Sequence, residues 1–339
     1  MATLAVDVVI ILLTTGVIWI GSGWLENASE RLATYYGLPE VVQGSIVTAI
    51  GSSFPELATV VVAAITVNSL ELGVGTIVGS AVFNILVIPA LAGITTAEKI
   101  EANRALVYKE ALFYMLAVSV LVITFALAVI YYPVGGVEYL AGNITRPLAL
   151  VPLGMYGLYV FIQYQDTADH ESDDDGSDIA IGRQWGLLVA GLVAILIAVE
   201  RLVHSVDVIG TALGVPDFIM GVTIAAAATS LPDAMVSVRA ASEERGIASL
   251  ANVLGSNTFD LLVAIPIGVM LVGSTPINFS MAIPMFAVLT LSTVLLFTAL
   301  RTDLALSVIE SYGLLAAYAL FVVWVVLEAL DVAVDLLPT

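Results

Sequence analysis

The sequence predicts an all-α membrane protein of ten transmembrane helices, built as two five-helix repeats of inverted topology. Three observations predict it. Sixty per cent of the 339 residues are hydrophobic and 12% are charged, and the mean hydropathy of +1.06 lies far above that of a soluble domain. Apolar runs of about 20 residues, the length that crosses a hydrocarbon core, occur ten times. The two halves of the chain also carry the same polar motifs in the same order.

The spans fall near 6–27, 41–67, 72–95, 107–132, 143–164, 184–203, 217–239, 247–271, 277–299 and 305–330. The first apolar run, Val8 to Leu25, has neither a basic leader nor a small-residue cleavage site, so it is expected to be a span and not a cleaved signal. Connections are short except for an acidic linker at 165–183, which separates a first repeat (1–164) from a second (184–339). The net charge of −19 belongs to loops and ends, this linker above all. Its carboxylates lack the alternating Asp-x-Asp-x-Asp-Gly spacing of an EF-hand loop, and runs of one sign are usually solvated. With no cysteine, disulfides, thiolate metal sites and cysteine nucleophiles are excluded; His170 and His204 leave little for zinc chemistry.

The halves align on one another. Gly37-Leu38-Pro39 matches Gly214-Val215-Pro216, Gly44 matches Gly221, and Ser53-x-Pro55-Glu56 matches Ser230-x-Pro232-Asp233, all at an offset of 177. After a one-residue slip, Gly79-Ser80 matches Gly255-Ser256, Phe83 matches Phe259 and Asn84 matches Asp260 at 176. Five spans is an odd number, so the second half enters the bilayer from the opposite side, as in inverted-repeat transporters. The basic residues agree. With the N-terminus outside, Arg31, then Lys99, Arg104 and Lys109, then Arg183, then Arg239 and Arg245, then Arg301 fall at cytoplasmic connections, as the positive-inside rule asks. Arg146 and Arg201 are the exceptions. Both termini are then outside and the acidic linker is cytoplasmic.

Charge at membrane depth is costly and usually functional. Glu56, Asp233 and Asp260 are the carboxylates that reach the middle of apolar segments, with Asn84 at the fourth repeat-related position. A protonated carboxyl serving as interhelical glue would explain one such residue, but not three at matched places. Residues three or four apart share a helix face, so Ser52 and Ser53 lie alongside Glu56, and Thr229 and Ser230 alongside Asp233. Ser80 pairs with Asn84, and Ser256 with Asp260, in the same way. Pro55 and Pro232 cannot donate to the carbonyls of Gly51 and Ala228, so a broken helix is expected beside each acid. Oxygen ligands without sulfur or imidazole suit Ca²⁺, Na⁺ or K⁺.

At these motifs the chain resembles the cation/calcium exchanger superfamily, and within it the sodium/calcium exchangers. Gly51-Ser-Ser-Phe-Pro-Glu56 with Gly75-Thr-Ile-Val-Gly-Ser-Ala-Val-Phe-Asn-Ile-Leu86, and Ala228-Thr-Ser-Leu-Pro-Asp233 with Gly255-Ser-Asn-Thr-Phe-Asp260, resemble its two alpha repeats, here 44–95 and 221–271. The resemblance implies a multi-pass antiporter of the cell membrane, surrounded by lipid, that exchanges Na⁺ for Ca²⁺ by alternating access without a cofactor. It further implies that Glu56 and Asp233 are central Ca²⁺ ligands, joined by backbone oxygens of Ser52 and Thr229. Ser53, Ser80, Ser230 and Ser256, with the carbonyls of Ala49 and Ala226, would line Na⁺ sites, and Asn84 and Asp260 would complete the centre. Spans 1 and 6 would be gating helices that slide across the other eight.

Two departures stand out: Asp233 where many prokaryotic members have Glu, and Ala228 in place of the usual glycine. Asp233, Asp260 and the 75–86 string look closest to the potassium-dependent branch, which leaves K⁺ coupling open. Proton/calcium exchangers usually carry different residues around their paired acids. From another class, an intramembrane aspartyl protease could use Asp233 and Asp260 as a dyad. Its Gly-x-Gly-Asp pattern is absent, and Glu56 and Asn84 would go unexplained. A cation channel is the third alternative, which single-channel currents or non-saturating flux would mark.

Overall fold

The computed structural model describes residues 2–37, 47–96, 99–137, 139–167 and 180–329. Its first half holds α1 (Ala2–Tyr35), α2 (Ala49–Ser52), α3 (Phe54–Thr66), α4 (Leu70–Leu86), α5 (Ile88–Thr96), α6 (Ala111–Tyr131) and α7 (Arg146–Thr167). The second holds α8 (Ile181–Leu213), α9 (Asp217–Met220), α10 (Ala226–Thr229), α11 (Leu231–Ser242), α12 (Gly246–Phe259), α13 (Ile265–Val272), α14 (Phe279–Asp303) and α15 (Val308–Ala329). Wider π-type turns at Gly221–Ala225 and Asp260–Ala264 carry α9 into α10 and α12 into α13. Among the described residues eight helices are long and apolar enough to cross a membrane, and a ninth if the two arms Asp217–Thr229 and Leu231–Ser242, bent by 45°, count as one. The chain is an all-α membrane protein. Of the ten expected spans, the second is the one whose length is not seen: 41–46 lie outside the described residues, and α3, with 13 residues, is short. The acidic linker is likewise outside them at 168–179, as are 330–339.

The two longest helices exceed the expected spans 6–27 and 184–203. With 34 and 33 residues, at about 1.5 Å per residue, α1 and α8 run far past a core of about 30 Å. Their ends escape a hydropathy reading because 28–35 and 204–213 mix polar with apolar side chains. Each helix is followed by the glycine matched between the halves, Gly37 at φ 65° and Gly214 at φ 69°. Only glycine enters that left-handed region cheaply, which is why it ends helices.

Two antiparallel ribbons were not expected. β1 (Ile100–Glu101) pairs with β4 (Ala305–Leu306), and β2 (Ala141–Thr145) pairs with β3 (Ser274–Asn278) in the register Ala141 to Asn278 through Thr145 to Ser274. The expected starts of spans 5 and 9, at 143 and 277, and of span 10, at 305, are therefore strand and not helix. Each ribbon takes one strand from each half.

Small residues set the packing. A Cβ at Gly75 would collide with the carbonyl oxygen of Phe218, one at Gly79 with that of Val222, and one at Gly221 with that of Leu72. Thus α4 runs backbone to backbone against α9 and the turn after it. A Cβ at Gly73 would lie 2.8 Å from Cα of Val60, and one at Gly268 2.6 Å from its Cγ1, so α4 and α13 clamp α3 at Val60, one turn beyond Glu56. The long helices form a separate layer. Ile18 and Leu25 of α1 share an apolar cluster with Val199, Leu202 and Val206 of α8, and with Ala58 and Ala63 of α3. Large aliphatic side chains such as Leu12, Ile123, Leu291 and Leu320 stand exposed on the outside, as a lipid-facing surface requires.

Overpacking a close helix contact costs about 1–3 kcal/mol. Gly75→Ala and Gly79→Ala should each lower the melting temperature in detergent, whereas Gly16→Ala, with nothing within 4 Å of the added Cβ, should not. Differential scanning fluorimetry of the purified variants measures this.

Candidate cation site

Both acids of the matched motifs sit at a helix break. α2 ends at Ser52, Ser53 takes φ −87° and ψ 6°, and α3 begins with Pro55 in its first turn. In the second half α10 ends at Thr229, Ser230 takes φ −82° and ψ −4°, and α11 begins with Pro232 in its first turn. The missing proline N–H is harmless in a first turn, where N–H groups have no intrahelical partner anyway. Glu56 and Asp233 then lie at half-helix N-termini, where a carboxylate is electrostatically favoured. The preceding arms end in carbonyls, which favour a cation. Ala49 opens α2, and the Ala226 carbonyl accepts from the amide of Ser230 at 3.0 Å and the Thr229 hydroxyl at 3.4 Å.

These breaks face α4 and α12 inside the protein. Glu56, Ser80, Asn84, Asp233, Ser256 and Asp260 are fully buried, as are Ser53, Thr229 and Ser230, with Ser52 nearly so. The repeat shows in the contacts. The Ser80 hydroxyl approaches Glu56 Oε1 at 3.5 Å, and its counterpart Ser256 approaches Asp233 Oδ1 at 3.4 Å. Across the halves, Ser230 donates to Ser80 at 2.7 Å and approaches Glu56 Oε1 at 3.5 Å, while the hydroxyls of Ser52 and Ser256 are hydrogen-bonded to one another at 3.1 Å.

The symmetry then breaks. Asn84 donates to Asp233 Oδ2 at 2.9 Å and to Asn257 Oδ1 at 3.0 Å. The repeat-related pair is Asp260 with Glu56, two acids within electrostatic reach of one another, neither of which has a donor to offer when ionised. Glu56 Oε2, both oxygens of Asp260, the Ser53 hydroxyl and Asn84 Oδ1 are buried with no hydrogen-bond partner within 3.5 Å, the nearest polar groups being the Ser53 hydroxyl beside Asp260 and the Thr229 hydroxyl beside Glu56. Asp260, Glu56 and Asp233 lie within electrostatic reach of one another. Buried oxygens in such numbers demand a counter-charge. Among the described residues no three carboxylate or imidazole groups close into a metal cluster, so a cation here would be held by carboxylates interleaved with hydroxyl and amide oxygens. That donor set fits hard cations such as Ca²⁺ or Na⁺.

Asn257 belongs to this network and was not singled out in the sequence. It accepts from Asn84 and donates to the carbonyl of Ala81 at 3.1 Å and to the Tyr114 hydroxyl at 3.3 Å. Ala81 is its repeat counterpart. The available signal was an amide between Ser256 and Asp260 in an otherwise apolar helix.

The model of the family described as sodium/calcium exchanger protein matches residues 6–165 and 183–327. The chain belongs to this family. It is a transmembrane antiporter of the cation/calcium exchanger superfamily, and not an enzyme. Among relatives of this exchanger, an uncharacterized membrane protein of Methanocaldococcus jannaschii is 28% identical over 266 residues, covering 78% of this chain and 82% of its own. Sodium/potassium/calcium exchanger 4 of Mus musculus is 47% identical over 66 residues, 20% of this chain and 11% of that one. The solved structure of the sodium-calcium exchanger NCX_Mj soaked with Na⁺ and Sr²⁺ superposes with a TM-score of 0.64 at 26% identity, covering 94% of this chain and 99% of the other.

Replacing Asn84 by Ala strips the donor from Asp233 Oδ2 and Asn257 Oδ1, and a buried acceptor left unpaired costs about 1–3 kcal/mol. In ion-free detergent, Asn84→Ala should melt below the parent protein. Asp260→Asn, which removes an unpaired buried carboxylate, should melt above it; calorimetry of the two variants decides both.

Proposed function

We propose that this exchanger couples inward Na⁺ movement to Ca²⁺ export across the cell membrane, electrogenically and by alternating access. The observation that carries the reading is the Glu56–Asp260 pair with its three unpartnered buried oxygens. Together with Asp233, these acids can be compensated by one Ca²⁺ or by several Na⁺, but hardly by both. Uncompensated, they penalise any occluded state, so the empty carrier does not cross and exchange replaces leak. Glu56 and Asp233 serve as the Ca²⁺ ligands with backbone oxygens of Ser52 and Thr229. Ser53, Ser80, Ser230 and Ser256, with carbonyls of Ala49 and Ala226, take Na⁺, and Asn84 and Asp260 fill the centre.

The architecture we assign is ten spans in two inverted repeats, 1–164 and 184–339, with both termini outside. The ribbons support it. β1 follows the third span of the first half as β3 follows the third span of the second, and β2 precedes the fifth span as β4 precedes the tenth. Pairing β1 with β4 and β2 with β3 requires each pair to share a membrane face, which ten spans provide. The apolar cluster that joins α1 to α8, distinct from the larger core although it also takes in Ala58 and Ala63 of α3, suits a pair of helices that moves as one body.

One observation favours a K⁺-coupled variant: the segment shared at 47% identity with a sodium/potassium/calcium exchanger. In proteoliposomes, an imposed Na⁺ gradient should drive ⁴⁵Ca²⁺ uptake that falls to background in Glu56→Gln and Asp233→Asn. Equal rates with and without K⁺ would remove K⁺ coupling. Uptake that follows a pH gradient and ignores Na⁺ would overturn the Na⁺ assignment in favour of proton exchange.

A further inference from the structure

A cavity of about 600 Å³ opens between the C-terminal part of α1 and the ends of α11 and α12. Its inner wall includes Thr48, Val236 and Asn252. Each stands one helical turn from a residue of the central site, namely Ser52, Asp233 and Ser256, so the cavity ends about 5 Å from that site. At its side is Glu26, whose backbone packs on Gly51: a Cβ there would lie 3.6 Å from Cα of Glu26.

Glu26 is nine-tenths buried and lines the cavity, yet among the described residues it makes no hydrogen bond or ion pair. Asp233, Glu30 and Arg239 are within electrostatic reach. The cations lining the cavity are engaged elsewhere: Arg239 pairs with Glu243 at 3.0 Å, and Arg245 with the same carboxylate at 3.8 Å. Glu30 takes a hydrogen bond from Thr48 at 3.2 Å. At the inner end Asn252 donates to Ser237, while its Oδ1 is buried without a partner. The unanswered groups are thus a carboxylate and an amide oxygen, with a hydroxyl and a second carboxylate beside them. All are oxygens, and the lining holds three carboxylates, Glu26, Glu30 and Glu243, to two guanidiniums, Arg239 and Arg245.

We propose that Glu26 is a cation-binding station in the passage from the membrane face bearing Arg239 and Arg245. It would hold a partly hydrated Ca²⁺ one helical turn short of the central site and hand it to Asp233. The identity of the cargo rests on the exchange reading; the existence of the site does not. Because Glu26 rides on α1, shifting that helix against Gly51 moves the station relative to the central seat, and delivery is tied to gating.

Trp19 lines the same cavity and provides a local reporter, since Tb³⁺ occupies Ca²⁺ sites and emits when a neighbouring indole is excited. The protein to use is the full chain carrying Glu56→Gln and Asp233→Asn, which lacks the central seat. It should still give Tb³⁺ emission that Ca²⁺ displaces. Adding Glu26→Gln should weaken that binding at least tenfold, Glu26→Asp should keep it within about threefold, and Trp19→Phe should lose most of the emission while retaining ⁴⁵Ca²⁺ binding; a charged cleft concentrates counter-ions by about 10-fold or more. The Trp19→Phe arm locates the site even if Glu26→Gln does not fold. In otherwise unmodified protein, Glu26→Gln should raise the half-saturating Ca²⁺ about tenfold on the cavity's face and leave the opposite face as it was. Absence of Tb³⁺ binding in the double variant, indifference to Glu26→Gln, or equal shifts on both faces would each overturn the proposal. Failure of Na⁺-driven flux with the Tb³⁺ signal intact would instead sink the exchange reading alone.

Discussion

Two buried acids with no donor between them govern this structure. Asp260 and Glu56 are the repeat counterparts of Asn84 and Asp233, and the hydrogen bond that settles the second pair has no equivalent in the first. Burying one unpaired carboxylate costs several kcal/mol even after relaxation, and here only hydroxyls and a helix N-terminus offset it, with no cationic side chain among the described residues beside it. Under the exchange proposed above, the offset comes from outside, as a cation, and that requirement would tie the transport cycle to its ions.

Much of the remaining architecture keeps these groups in place. Glu56 is fixed because α3 is gripped one turn later, at Val60, by Gly73 and Gly268. Asp233 is fixed by Asn84 and Ser256 from two different helices. The close approach of α4 to α9 and its following turn, at Gly75, Gly79 and Gly221, ties the two halves at the same depth. Small residues at these points do in lipid what apolar burial does in water, since helices there associate through packing and not through exclusion of solvent.

The layer formed by α1 and α8 is of another kind. It is held to the rest partly through alanines of α3 and through the contact of Gly51 with the backbone of Glu26, smooth surfaces that resist sliding little. A firmly packed centre beside this outer pair suits the alternating access proposed above, in which one bundle rocks or slides against another.

The amino-acid sequence by itself determined the membrane class, the matched motifs of the two halves, the paired helix breaks and the polar residues that the fold buries together, because each leaves a local mark: apolar length, an unusual charge, a proline beside an acid. It also carried the left-handed stops at Gly37 and Gly214. Tertiary structure alone decided which of the matched acids is satisfied, since Asn84 and Asp260 differ in consequence only once each has met its partner from the other half. It alone recruited Asn257, whose three hydrogen bonds run to Asn84, Ala81 and Tyr114, and it alone formed the ribbons, whose short strands have no signature until a strand from the other half lies alongside. The ends of α1 and α8, and the burial of Glu26 at the edge of the first expected span, were illegible for a related reason: a charge near the end of an apolar run reads as solvated until a neighbouring helix covers it.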